Sequence, residues 1–360
     1  MASIVVGAGP SGCIAAKTLV DQDEVFLFEE HKEQPVQCAG LISVSGLKTL
    51  GVKPGDSLLN NISGARFVSP SGKSCEVNPG KKMACVVDRR RFDERLLSAA
   101  KRKGVNVVNE RVVDVAKGKV KTKSGSYPCD KIVLASGVNY SFHRKLGLDH
   151  PKNFLVGAQV DLKMDFDPDL VEVHFNVPGF FSWVIPAGDY ARVGLCARGN
   201  PTPFLNSFLK ELESDGRLKK SKPANPVYGI IPVFNPKIRT DYGWVRTVGD
   251  AAGQVKATTG GGVVLGGIAA SCVGEKNYEA VWRDKIGREL KLHLLIRRLV
   301  DKICEKDVDL LVDLIESGSS SLNRGGDMDI ASKTVKGLFT NPIFLKDLLL
   351  NTPRLILTLL

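Results

Sequence analysis

Ser3-Ile4-Val5-Val6-Gly7-Ala8-Gly9-Pro10-Ser11-Gly12-Cys13-Ile14-Ala15-Ala16 opens the chain with an apolar run, a glycine-rich turn and the start of a helical apolar pattern. The run has the character of a fully buried parallel strand, and Val25-Phe26-Leu27-Phe28 returns as a second one that ends at Glu29. Strand, GxGxxG turn, helix and strand make a βαβ unit that takes a dinucleotide. Gly7 permits the tight turn, Gly9 lets the backbone approach a pyrophosphate, and Gly12 lets the helix pack close to the sheet. The first amides of the helix then face the phosphates. Glu29 is placed to accept hydrogen bonds from the ribose hydroxyls of an adenosine and to repel a 2′-phosphate, and Glu30 takes that part if the strand ends one residue later.

A chain of 360 residues exceeds one ordinary domain, and 43% hydrophobic residues is enough for a large core, so two interleaved domains are expected. Met1 is followed at once by the first strand, so no secretory signal is expected. The eight cysteines are scattered without a CxxC pair, which suggests neither a disulfide framework nor a metal site and fits a cytoplasmic protein. The net charge is +11. Its clusters, Arg89-Arg90-Arg91, Lys101-Arg102-Lys103, Lys117 to Lys123 and Lys219-Lys220, lie apart and lack interleaved aromatics, which argues against nucleic acid. Anionic lipid or a phosphorylated substrate fits the sign, and a merely solvated surface fits it equally.

Small residues at Ala39 and Gly40, after Val36-Gln37-Cys38, mark a backbone that something flat approaches. Residues 62 to 77 alternate around Pro70-Ser71-Gly72 and read as an inserted β-hairpin. An amphipathic helix follows over Phe92 to Ala100 and stops near Gly104. Val105 to Val108 is a buried strand, Val112 to Val115 with Lys119 to Thr122 a small antiparallel ribbon, and Asp130 to Gly137 another strand and turn. From Phe154 the pattern changes to long alternating strands, over 155–162, 170–175, 181–185 and 191–197, before a helix over 202–213. This is an antiparallel sheet that offers one face to a ligand. The nucleotide lobe resumes at Trp244 to Gly253, with a helix from Gly260 through Ala270, and the chain after about Asn277 reads as helical.

Gly249-Asp250 decides the cofactor. An NAD fold needs no second strand-Gly-Asp turn so late, whereas a flavin needs a carboxylate for its ribityl hydroxyls and a helix start near its pyrimidine edge. Asp250 supplies the first, and the amides of Gly262 and Val263 the second, with a partial positive charge that favours the anionic reduced flavin. FAD is therefore the expected cofactor; a plain helix N-cap is the other reading of Asp250. Arg89, just before a helix, has the reach for the FAD pyrophosphate or ribose, or makes a surface ion pair. The expected fold is α/β, a Rossmann-like FAD-binding domain of the glutathione-reductase type interleaved with an antiparallel β-sheet substrate domain, plus a helical C-terminal region. The FAD domain is read over 1–61, 83–150 and 240–277, the sheet domain over 62–82 and 151–239, and the helical region over 278–360.

Gly7 to Gly12, Glu29, Pro35-Val36-Gln37-Cys38, Asp88-Arg89 with Phe92-Asp93, and Gly249 to Gly253 with Thr259-Gly260-Gly261-Gly262 together resemble the geranylgeranyl reductase family. That family lies within the para-hydroxybenzoate-hydroxylase-like flavoproteins. Phe181-Ser182-Trp183-Val184-Ile185-Pro186, with Val193-Gly194 after it, resembles the substrate-domain signature of these reductases. The likeness covers about residues 1–278 and is greatest to the archaeal enzymes acting on digeranylgeranylglycerophospholipids. It implies FAD contacts at Gly12, Glu29, Cys38, Ala39, Arg89, Asp250, Gly262 and Val263, and at Val112. Leu41, Ala257 and Ser136 depart from the family's usual glycine, proline and aspartate.

The reaction so implied is hydride transfer from reduced flavin to an isolated double bond of a prenylated lipid, with a proton to the other carbon. An unpolarised alkene must be held against the flavin with water excluded, which demands an apolar tunnel. Phe180, Phe181, Trp183 and Ile185, followed by Pro186, line it or belong to the sheet core. Cys38 delivers the proton or packs against the ring. No separate NAD(P)-binding GxGxxG is visible, so the external electron donor is reduced ferredoxin, a deazaflavin or NAD(P)H. A monooxygenase or halogenase of the same fold and a non-redox prenyl-binding or cyclising protein are the competing readings. The apolar tail from Phe339 to Leu360 is too broken to span a bilayer. It lies at a membrane surface, as a peripheral contact, or covers the tunnel as core.

Overall fold

Alternation along the opening strands sets the layers. In the computed structural model, which describes residues 1–31, 36–218, 225–303 and 307–351, β1 (Ala2–Val6) sits at the centre of a parallel sheet. β2 (Glu24–Phe28) and β8 (Asn106–Val108) lie on one side of it, and β12 (Lys131–Leu134) and β18 (Val245–Thr247) on the other. Val5, Leu27 and Val133 face α1 (Pro10–Leu19), α3 (Arg89–Arg102) and α6 (Val263–Ala270). Ile4, Val6, Phe28 and Leu134 face a meander of β9 (Asp114–Ala116), β10 (Lys119–Lys121) and β11 (Ser126–Pro128), beside α4 (Ser141–Leu146). Both faces of the sheet are covered, as a parallel sheet requires.

A second sheet is built of β17 (Val227–Pro232), β13 (Phe154–Leu162), β16 (Ala191–Ala197), β15 (Phe180–Pro186), β14 (Leu170–Val177), β5 (Gly64–Val68) and β6 (Ser74–Val77), in that order. Its neighbours are antiparallel except β14 and β5, which run parallel. The hairpin read from 62 to 77 is thus β5 and β6, added to the edge of this sheet. Ile62 belongs instead to β4 (Leu58–Ile62), which with β7 (Ala84–Val87) and β3 (Leu41–Ser43) makes a small antiparallel sheet that α2 (Val44–Thr49) follows. Sequence reading passed over β3, β4, β7, β11, β17, α2 and α4.

α5 (Thr202–Ser214) covers the back of the large sheet through Leu205, Phe208 and Leu212. α7 (Tyr278–Trp282), a π-helical turn at Arg283–Gly287 and α8 (Arg288–Val300) pack Trp282, Ile286 and Leu290 onto the helical side of the nucleotide lobe. α9 (Val308–Gly325) lies along β6, where Cys75 Sγ contacts the Val312 carbonyl at 3.5 Å, and α10 (Ala331–Phe339) and α11 (Pro342–Asn351) pack on α9. In α11 Phe344 and Leu348 are buried against Leu314, while Ile343, Leu349 and the nearby Phe339 are exposed. Among the described residues no helix is long and apolar enough to cross a membrane. Pro35, Lys219-Lys220 and the last nine residues of the tail lie outside the described residues.

β14 carries a second alternation: Val171 and Val173 point to one face, Glu172 and His174 to the other. There Arg217 donates to both Glu172 oxygens at 2.9 and 2.7 Å, and His174 Nε2 lies 2.9 Å from Oε2. Burial would raise the Glu172 pKa, but the hydrogen bonds from His174 and Arg217 and the charge of Arg217 outweigh it and hold it at about 2. A depressed carboxylate stabilises the fold above its unfolded value of 4.5 and loses that contribution as pH falls towards 2. Glu172→Gln is therefore expected to cost roughly 3 kcal/mol at pH 7. In urea titrations the gap to the parent should close progressively below pH 4.5; a gap independent of pH would refute the pairing.

Candidate active site

The opening turn imposes two kinds of constraint. Gly7 has φ +101°, and a Cβ there would lie 2.5 Å from the Ala135 carbonyl oxygen; a Cβ on Gly12 would fall 1.8 Å from the Gly7 oxygen. The protein's own packing requires both glycines. Gly9 differs, because its backbone is extended (φ −66°, ψ 178°) and a Cβ would meet nothing within 4 Å. The space it leaves open belongs to a cavity of about 720 Å³.

Gly9, Gly12, Cys38, Ala39, Gly40 and Arg89 line this cavity together with Asp250, Gly262 and Val263. Segments from the start of the chain and from three-quarters along it therefore meet at one wall. The rest is largely apolar: Phe67 from β5, Val171 and Val173 from β14, and Phe181, Trp183 and Ile185 from β15. Leu322 and Met328 close it from the C-terminal region. Residues 339–349 of the tail do not line it.

Asp250 sits in a 3₁₀ turn at Gly249–Ala252, where the Tyr140 hydroxyl donates to its main-chain oxygen at 3.0 Å. Among the described residues no donor reaches its carboxylate. Burial pushes its pKa up to about 6, against the opposing charge of Arg89. A carboxylate without donors on a cavity wall is unfavourable until a ligand brings hydroxyls to it, which fits a polyhydroxyl chain better than an N-cap.

Arg89 grips Asp93 with both forks, Nε to Oδ1 at 3.0 Å and the second nitrogen to Oδ2 at 2.9 Å. Burial disfavours its charge, but Cys38 and Asp93 beside it outweigh that and raise its pKa. It is a buried pair on the cavity wall, not a surface one. Cys38 is exposed to the cavity, with its Sγ accepting from the Gly40 amide at 3.4 Å. Arg192, from the large sheet, donates to the Ala39 carbonyl at 2.6 Å and the Val87 carbonyl at 3.0 Å, so the substrate sheet fixes the loop that carries Cys38.

Glu29 is off the cavity lining. Its Oε2 accepts from the Ala8 amide at 2.8 Å, and its Oε1 from the His31 amide at 2.9 Å, which ties the tip of β2 to the glycine turn. Val112 is also off the lining, because it turns into the apolar layer with Phe28, Val115 and Val120 just before β9 begins. In β15 the expected tunnel residues divide between lining and support. Phe181, Trp183 and Ile185 line the cavity, whereas Phe180 is 3% exposed behind the lining, its ring stacked on that of Phe181 at 4.3 Å and the Arg297 guanidinium 4.8 Å from its centroid. Pro186 is buried away from the lining, where its carbonyl accepts from Asn60 at 3.4 Å. A Cβ on Gly194 would lie 2.8 Å from Trp183, so that glycine is what allows the indole to lie flat across β16.

Sequence reading missed Lys256, which lines the cavity and pairs with Asp329 Oδ1 at 2.6 Å. Nearby, Thr258 Oγ1 lies 2.7 Å from His293 Nδ1, and burial together with the Lys256 charge pulls His293 down to about 4. No local pattern announces a pair 73 residues apart.

No protein-family model matches the chain. It is 30% identical over 361 residues to the digeranylgeranylglycerophospholipid reductase of Methanothrix thermoacetophila, with 87% of this chain and 91% of that protein covered. The chain belongs to the digeranylgeranylglycerophospholipid reductase family. The protein of the same name from Methanocaldococcus jannaschii is 29% identical over 352 residues, covering 87% and 90%. Among solved structures, a geranylgeranyl bacteriochlorophyll reductase-like protein from Thermoplasma acidophilum superposes with a TM-score of 0.82 at 22% identity, over 99% and 98% of the two chains. A flavin-dependent brominase is similar at a TM-score of 0.68 and 16% identity, over 96% and 99%. Such structural likeness establishes the fold, which reductase-like and halogenating flavoproteins share with this family member. The fold read from the sequence, an α/β nucleotide lobe with a ligand-facing sheet and a helical C-terminus, is the one observed.

Two expectations follow for the wall. Gly9→Ala should leave the thermal stability of the ligand-free protein within about 1 kcal/mol of the parent, yet weaken dinucleotide binding, whereas Gly12→Ala should unfold at markedly lower temperature; equal stabilities would contradict the packing described. For Asp250 the native state binds more protons than the unfolded state between about pH 4 and 6, so stability falls as pH rises through that window. Asp250→Asn removes this term and should stabilise the ligand-free protein by roughly 1–3 kcal/mol at pH 7.5, read by calorimetry across that pH range.

Proposed function

We propose that this chain is an FAD-dependent reductase that saturates the isolated double bonds of geranylgeranyl chains on membrane-lipid precursors. The observation that carries the reading is one cavity joining the dinucleotide turn to an apolar sheet face. The open space at Gly9 and the Asp250 carboxylate without a protein donor fit FAD. Gly9, Gly12 and the first amides of α1 would take the pyrophosphate, with Arg89 within its reach, and Glu29 the adenosine ribose. Asp250 would take the ribityl hydroxyls, and the Gly262 and Val263 amides the pyrimidine edge. When bound, the coenzyme supplies the hydride.

The chain's own residues do the rest. Phe67, Val171, Val173, Phe181, Trp183 and Ile185 hold the prenyl chain in van der Waals contact and keep water out. Cys38 Sγ would give the proton to the second carbon, a role that its exposure on the cavity wall supports. Electrons come from an external donor, with reduced ferredoxin, deazaflavin and NAD(P)H as the candidates. The exposed Phe339, Ile343 and Leu349 on a chain of net charge +11 support contact with an anionic membrane surface, where such a substrate resides.

FAD-loaded protein reduced by dithionite without oxygen should regain its yellow absorption when a geranylgeranyl phospholipid is added, with a saturated product by mass spectrometry. Cys38→Ala should bind FAD in full and be reoxidised by the lipid on the order of 10²-fold more slowly. Reoxidation only by oxygen, with hydroxylation or halogenation of an added acceptor, would establish the competing activity on this fold. An unchanged rate in Cys38→Ala removes the thiol from the mechanism.

A further inference from the structure

Lys256 is a buried cation with no task in the reading above. Its side chain is 7% exposed and lies across Gly261, where a Cβ would be 2.6 Å from Lys256 Cε and 3.1 Å from Nζ. The backbone closes the same loop, since the Lys256 amide donates to the Gly261 oxygen at 3.1 Å and the Gly260 amide to the Lys256 oxygen at 2.9 Å. The ammonium is thereby held against the glycine turn that leads into α6. On that turn a Cβ at Gly262 would come 2.8 Å from Asp250 Oδ1. Lys256, the α6 amides and Asp250 thus share one end of the cavity.

The partners of the ammonium come from the C-terminal region: Asp329 Oδ1 at 2.6 Å and the Met328 carbonyl at 3.0 Å. The other oxygen of Asp329 accepts from Ser43 Oγ, which also caps α2. Asp329 offsets the cost of burying the cation. A buried charge pair beside a redox group also biases which redox state is favoured, because little water is present to screen it.

We propose that Lys256 is a positioning residue that raises the reduction potential of the bound flavin, by favouring the negative charge that two-electron reduction places at its pyrimidine edge, and that Asp329 limits the effect. The inference rests on the flavin reading above and adds to it a device for setting the potential. Met328, next to Asp329, lines the cavity, so the segment that walls the substrate space also sets the strength of the reductant. The two members of the pair must then act with opposite sign, which a merely structural brace would not do.

The test is the flavin midpoint potential of the FAD-loaded full chain, measured anaerobically against reference dyes. Lys256→Met should lower it by about 30 mV or more, tenfold in the two-electron equilibrium. Asp329→Asn should raise it, the double variant should fall between them, and Lys256→Arg should keep the parent value. Single variants that shift the potential in the same direction, or not at all, overturn the proposal. Should Lys256→Met fail to fold or to hold flavin, Asp329→Asn and Lys256→Arg decide alone: no rise in the first, or a fall in the second, overturns it. A parent chain that takes up no FAD sinks the functional reading itself, whereas flavin bound with an unmoved potential sinks only this inference.

Discussion

Ser11 and the glycines that close on it hold the site together. A Cβ on Gly249 would lie 2.5 Å from Ser11 Oγ, and one on Gly266 2.9 Å from the same atom; one on Gly267 would be 2.9 Å from Ile14 and 2.8 Å from Leu50. α6 and the Asp250 turn therefore press directly on the side chains of α1, and any side chain at those positions would push them away from the glycine turn. This contact lets residues distant in the chain share a cavity wall. A buried polar brace secures it from behind: Gln254 accepts from the Gly249 amide at 2.8 Å and donates to Tyr278, whose hydroxyl donates to the Thr247 carbonyl at 2.8 Å.

Given that contact, the cavity divides its chemistry by position. Charges gather where the glycine turns meet, as the Arg89–Asp93 and Lys256–Asp329 pairs and the lone Asp250 carboxylate. The sheet side presents mostly hydrocarbon and aromatic surface. The period of a strand makes that division possible without loss of polar stability, since β14 gives Val171 and Val173 to the cavity and sends Glu172 behind the sheet, where His174 and Arg217 both meet it. Arg192 is the exception that joins the halves, because its guanidinium crosses from β16 to carbonyls on either side of the nucleotide loop. The position of Cys38 thus depends on both lobes at once.

Much of this was legible in the sequence because it is written in local patterns. The β1–α1–β2 unit, the Gly249-Asp250 turn, the four long strands from Phe154 and the loop at Cys38-Ala39-Gly40 each carry a signal within a dozen residues. β17 did not, since it is an edge strand that leaves Val227, Tyr228 and Ile230 exposed and places Gly229 against Gln37. Val112 was assigned to the cofactor by resemblance, whereas the ribbon read locally over 112–122 packs it into the apolar layer with Phe28 and Val120. Phe180 was grouped with Phe181, and its ring does stack on that of Phe181, but from behind the lining and under the Arg297 guanidinium. The Lys256–Asp329 pair could not be read at all, because only the folded C-terminal helices bring Asp329 back to the glycine turn.

The scaffold is shared by enzymes with different chemistry, so the sheet face must distinguish them. Here the aromatic-x-Trp-x-apolar-Pro stretch has a physical meaning that its residue types alone conceal. Every second residue of β15 enters the cavity, and Gly194 on the adjoining strand removes the one side chain that would lift the indole off the sheet. Phe181 stands edge-on to Trp183 at 68°, and such an aromatic floor suits a long, flexible hydrocarbon, which gains contact along its whole length and needs no polar partner. Among the described residues the charged pairs on the wall gather at the dinucleotide end, while the sheet side adds the uncharged Gln159 of β13 and the Trp183 indole nitrogen as its polar groups. The division of the cavity into a charged end and an apolar face is therefore what turns a common nucleotide fold toward a prenyl chain.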